Sequence, residues 1–199
     1  KMTQEFLAQA LIEKYYFKWA IIASHNALQC FMVLALQGTS DLGILKKLPA
    51  NKEKKFITEV LEEKEKNEFT PDLWPDYQYK ILTDPDRKLQ YFMRLFEDIQ
   101  KKEYMSGGIN SKVFVSNTEM DEQIMLLNDI RNGFIHYLPS SSAYQEELLV
   151  TTIESALTVI YFLLNVSQNF AYHYEEEDVL AMNMAIYESQ KLIKKFLNG

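Results

Sequence analysis

The sequence predicts an all-α protein, one bundle of about six helices spanning residues 1–199 as a single domain. Three observations lead there. Leu, Met and aromatic residues dominate an apolar share of 47%, and these residue types favour helix packing over sheets. Glycine and proline are scarce, six and five among 199 residues, and no stretch has linker composition. Apolar residues recur at three- and four-residue spacings, the period of one helical face. A chain of this length and content can bury one sizeable core.

Taken in order, the elements are as follows. From Thr3 to about Gln37 the pattern is helical: Phe6, Ala10, Leu11, Tyr15, Trp19 and Ile22 lead into a nearly continuous apolar run, and Gly38 and Gly43 flank a break. A second helix is expected from Asn51 to about Lys66, with Phe56, Ile57, Val60 and Leu61 inward and its charges solvated. Pro71 to Pro75 reads as a loop carrying Trp74. Thr83-Asp84-Pro85 is a cap followed by a proline at the first helical position. That helix should continue through Leu89, Phe92, Leu95, Phe96 and Ile99 until Gly107-Gly108. Val113-Phe114-Val115 reads as a short extended segment. Ser116 and Glu119 form a capping box opening a helix over 118–138, which stops at Pro139. Serines 140–142 then cap a long helix to about Tyr172. The acidic run Glu175 to Asp178 opens the last, through Leu192 and Phe196, with acids placed favourably at the positive end of the helix dipole.

Composition narrows the function. A net charge of −7 argues against broad, sequence-independent binding of nucleic acid, which needs basic surface to displace counterions. A locally positive site inside an acidic shell remains compatible with it. The one cysteine, Cys30, lies in an apolar run and reads as core; with no intramolecular disulfide open to it, a reducing, cytoplasmic setting is expected. No secretory signal is evident, and the most apolar window, Ser155 to Leu164, is shorter than a membrane span, so no membrane is expected. His25, His136 and His173 show no metal-ligand spacing, and no His has a Glu three residues before it. With no glycine-rich phosphate loop and no serine-nucleophile motif, neither cofactor nor metal is expected.

One segment remains that carries chemistry: Leu127-Asn128-Asp129-Ile130-Arg131-Asn132-Gly133-Phe134-Ile135-His136-Tyr137-Leu138. At about 100° per residue, Ile124, Leu127, Arg131, Phe134 and Leu138 fall in one apolar stripe. A guanidinium there is costly unless it is paired or reaches a charged group. His136 lies roughly 140° around the helix, with Asp129, Asn132 and Gly133. Asn132, four residues earlier, is close enough to hydrogen-bond the imidazole and select its tautomer. Gly133 has no side chain to block the approach of another backbone or a partner. The plainer reading makes Arg131 the partner of a core carboxylate and His136 a cation set against a helix C-terminus. His25 and Asn26, among apolar residues of the first helix, read either as a hydrogen-bonded core or interface pair or as the lining of a pocket near the motif.

Arg131, Asn132 and His136 resemble the signature of the HEPN superfamily: an Arg, a polar residue, and a His four to six positions after the Arg. Acidic and amide residues before the Arg, an aromatic after the His and a helix end are also similar, as is the helical layout of most of the chain. The resemblance implies a compact all-α bundle, commonly a homodimer, and metal-independent endoribonuclease activity of the toxin, defence or RNA-processing type. It assigns Arg131, Asn132 and His136 as catalytic residues, RNA as substrate, and an antitoxin or other protein as partner. Its alternative, from members that have lost catalysis, is a dimerisation or nucleotide- or partner-binding module. In one toxin branch a modified Tyr stands two residues after the His. Here Leu138 holds that place and Tyr137 follows His136 directly, turning the phenol by about 100°. Tyr137 is therefore read as a packing aromatic.

Overall fold

The computed structural model describes residues 1–37, 44, 55, 58, 62, 88–105, 110–136, 144–169 and 174–198. Among them are six α-helices: α1 (Met2–Ala10), α2 (Phe17–Gln37), α3 (Phe92–Asp98), α4 (Thr118–Ile135), α5 (Glu146–Asn165) and α6 (Glu176–Asn198). A 3-10 turn, Lys14–Tyr16, precedes α2. No strand occurs among the described residues, and the protein is an all-α helical bundle.

The bundle is organised around α2 and α5, which pack on each other. Helices α1 and α6 flank them, and α4 lies across both. Leu28 and Met32 of α2 and Val150, Ile153, Ala156 and Leu163 of α5 are fully buried. Burying a side chain of Leu or Ile size is worth about 2 kcal/mol, so these facing stripes supply the main drive for the arrangement. Both central helices are long and apolar enough, by length and composition, to cross a membrane: Lys14–Gln37 counted with its 3-10 turn, and Glu146–Asn165. The apolar stretch of α5 therefore exceeds the Ser155–Leu164 window read from the sequence.

Several expected boundaries moved, each for a local reason. The helix expected over residues 3–37 is broken in two. Glu13 is extended at φ −138° and ψ 113°, and α1 folds back so that Leu7 and Ala10 are buried against the bundle. A continuous apolar pattern does not distinguish a straight helix from one folded on itself. The helix expected from Pro85 to Gly107 is short in its described part: residues 88–91 are not helical, Gln90 donates its N–H to the Ile44 carbonyl at 2.9 Å, and α3 starts at Phe92. It ends at Asp98, a fully buried carboxylate held by Arg94 Nε at 3.2 Å and Lys101 Nζ at 3.3 Å. Helix α5 ends at Asn165 instead of near Tyr172, and Gln168 takes φ 63° just after it. The expected helix over 51–66, apart from residues 55, 58 and 62, the loop at 71–75, the cap at 83–85, Gly107-Gly108 and the serines at 140–142 lie outside the described residues.

Cys30 is exposed, not core. Helix α2 is apolar around most of its circumference, and its few outward polar residues, Asn26 and Gln29 among them, lie on the side that Cys30 takes. Residues 17, 20, 21, 24, 25, 28, 32, 35 and 36 are buried, and Cys30 falls with Asn26 on the opposite side.

Candidate functional site at the C-terminal end of α4

Helix α4 is set in place from both ends. Its N-cap is Asn117, whose side chain accepts the Met120 N–H at 2.8 Å. The expected capping box at Ser116 and Glu119 does not form, because Ser116 instead donates to the Asp121 carboxylate. Asn and Ser are similarly good caps, and one residue of offset decides between them. Ile124, Leu127 and Ile130 are fully buried, and Thr152 of α5 donates to Gln123 at 2.8 Å. The described helix closes at Ile135 with His136 as C-cap, its N–H bonded to the Asn132 carbonyl at 3.0 Å. The last part of the expected 118–138 helix, including Tyr137 and Leu138, lies outside the described residues.

At this end the three motif side chains are distributed unequally. Arg131 is half-buried at the edge of the apolar stripe, and its Nη1 donates to Asn132 Oδ1 at 3.0 Å. Asn132 thus holds the guanidinium instead of the His136 ring expected from the spacing. His136 is exposed. From Arg131 and Asn132, both half-buried, to the exposed His136, the motif runs toward the surface over about one and a half helical turns.

Three residues from α2 and α4 complete the surroundings. The two helices run antiparallel. Lys18, near the start of α2, stands 6.0 Å from the centre of the Phe134 ring, while His25, two turns on, lies against Asn128. His25 is only 2% exposed. It stacks on Phe92 of α3 at 4.0 Å and 20°, and its Nε2 is 3.3 Å from Asn128 Oδ1. Burial first, then the positive charge of Arg131, push the His25 pKa from the ordinary 6.5 down to about 4, against the side-chain amides of Asn128 and Asn26, which favour the imidazolium. His25 is neutral at pH 7.

Of the sequence candidates, the structure groups Arg131 and Asn132 directly and carries His136 at the adjoining surface. Of the two readings of His25, the hydrogen-bonded core one matches its burial, its stacking on Phe92 and its contact with Asn128. Lys18 and Asn128 were not singled out from sequence. Lys18 and His25 are seven residues apart, two turns on one face of a largely apolar helix, and that spacing was the available signal. Among the described residues no cluster of three or more His, Cys, Asp or Glu could hold a metal ion. No family model, no curated protein and no solved structure matches the chain.

Proposed function

We propose that this chain is a HEPN-type endoribonuclease module whose site is Arg131, Asn132 and His136. The observation that carries the reading is the junction itself: an exposed imidazole follows, five residues on, a half-buried guanidinium whose orientation is fixed by a neighbouring amide. Phosphodiester cleavage by a ribose 2′-hydroxyl needs those two functions. The 2′-oxygen bonds to phosphorus, the bond from phosphorus to the 5′-oxygen breaks, and the product carries a 2′,3′-cyclic phosphate. His136 acts as general base toward the 2′-proton or general acid toward the departing 5′-oxygen, a task suited to a side chain type that titrates near neutrality. Arg131 holds the phosphate and stabilises charge developing on its oxygens. Asn132 fixes the guanidinium. A homodimer about a two-fold axis that joined two such helix ends would double the local positive charge against the −7 of the chain.

A second reading, a non-catalytic dimerisation or ligand-binding module, is favoured by the burial of the Arg131 Nε atom and by the angular separation of Arg131 from His136. The two readings differ in two substitutions. Under the nuclease reading, His136→Ala abolishes RNA cleavage and leaves the helical circular-dichroism spectrum unchanged, while Arg131→Ala loses RNA binding with little change in assembly. Under the second, Arg131→Ala lowers both oligomeric state and thermal stability, and the parent protein cleaves no RNA.

A further inference from the structure

Two buried polar atoms beside the motif have no hydrogen-bond partner among the described residues: Nδ1 of His25 and Nε of Arg131. Their chemistry is complementary. With Nε2–H donated to Asn128 Oδ1, a neutral imidazole has a lone pair at Nδ1 and accepts there. The Nε of arginine is always a donor. Leaving either atom unpaired in the interior is costly. His25 stacks on Phe92 and meets Asn128, which lies three residues, one turn, before Arg131 on α4, and the charge of Arg131 is felt at its ring.

We propose that His25 is a positioning residue for Arg131: its Nδ1 takes the Nε–H of the guanidinium across one bridging water. Asn132 holds Nη1, so the guanidinium is fixed at two of its three nitrogens and Nη2 is left for a phosphate oxygen. Asn128 acts one step further back by setting the His25 tautomer, as partners of an imidazole commonly do. The role given to the phosphate rests on the ribonuclease reading; the pairing of His25 with Arg131 stands apart from it.

The pairing is tested by hydrogen exchange at arginine Nε–H in a 15N-edited spectrum. The chain has three arginines, Arg87, Arg94 and Arg131, so the Arg131 signal is identified by its loss in Arg131→Lys. We expect that signal to exchange slowly in the parent and roughly tenfold or more faster in His25→Phe, which keeps a stacked ring but has no nitrogen. His25→Asn, with an oxygen near the position of Nδ1, should recover most of the protection. Should His25→Phe fail to fold, Asn128→Ala removes the tautomer-setting partner and should also speed exchange. Cleavage of RNA should lose roughly tenfold or more in kcat/KM in His25→Phe, carried mainly by kcat, with partial recovery in His25→Asn. Unchanged Arg131 exchange in both His25→Phe and Asn128→Ala would overturn the pairing. A parent that cleaves no RNA while exchange responds as expected would overturn the nuclease reading and leave the pairing standing. Cleavage that is full in His25→Phe would overturn the positioning role alone.

Discussion

Lowering the pH from 7 to 4 should destabilise this protein through His25 in particular. The imidazole is 2% exposed, stacked on Phe92 and close to the positive charge of Arg131. Its proton affinity falls from the ordinary 6.5 to about 4 on folding. Between those values the unfolded chain binds a proton that the folded chain refuses, so stability rises with pH across this window. The contribution is complete above pH 6.5 and is lost progressively as pH falls toward 4. At about 1.4 kcal/mol for each tenfold change in proton affinity, the full gap is worth ~3 kcal/mol. Carboxylates titrate in the same range, so the informative quantity is a difference. Urea unfolding of the parent and of His25→Asn, at half-unit steps from pH 7.5 to 4, isolates it. The parent should lose ~3 kcal/mol more than the variant over the series. Parallel curves would refute the argument, showing that His25 is charged, or hydrated, in the folded protein.

Other consequences follow from individual contacts. Asn117→Ala removes the cap of α4 and should cost ~1 kcal/mol in chemical denaturation, with Ser116→Ala costing clearly less; the reverse order would restore the capping box as the operative device. Gly133→Ala should stabilise the isolated protomer by ~1 kcal/mol, because an added methyl meets nothing within 4 Å. If it instead lowers oligomeric state or cleavage, a partner comes close at that position. Asp98→Ala leaves Arg94 and Lys101 without their buried acceptor and should cost ~2 kcal/mol in thermal or urea unfolding, whereas an unchanged midpoint would mean that water replaces the carboxylate freely. Cys30 should react with a maleimide in the native protein at the rate of an accessible thiol, and protection would mean its face is covered in solution.

Composition and period made the fold class legible, but not the handling of its most apolar helix. Ile124 and Leu127 of α4 were identified as inward-facing and are fully buried, because that helix alternates polar and apolar residues clearly. Helix α2 does so less, and the fold-back at Glu13 depended on tertiary packing that local pattern does not encode. At the candidate site, Arg131, Asn132 and His136 were singled out by their residue types and their resemblance to a family signature. Which of them touch was not legible, since Asn132 had two neighbours within reach and chose the guanidinium. The coupling to His25 joins residues 103 apart in sequence, a contact that only the antiparallel packing of α2 on α4 creates.

The most direct test is incubation of the purified protein with end-labelled, mixed-sequence RNA in EDTA, beside His136→Ala. The account predicts cleavage by the parent alone, with 2′,3′-cyclic phosphate ends. Equal cleavage by both proteins, or none by the parent at high concentration with varied RNAs, would contradict it.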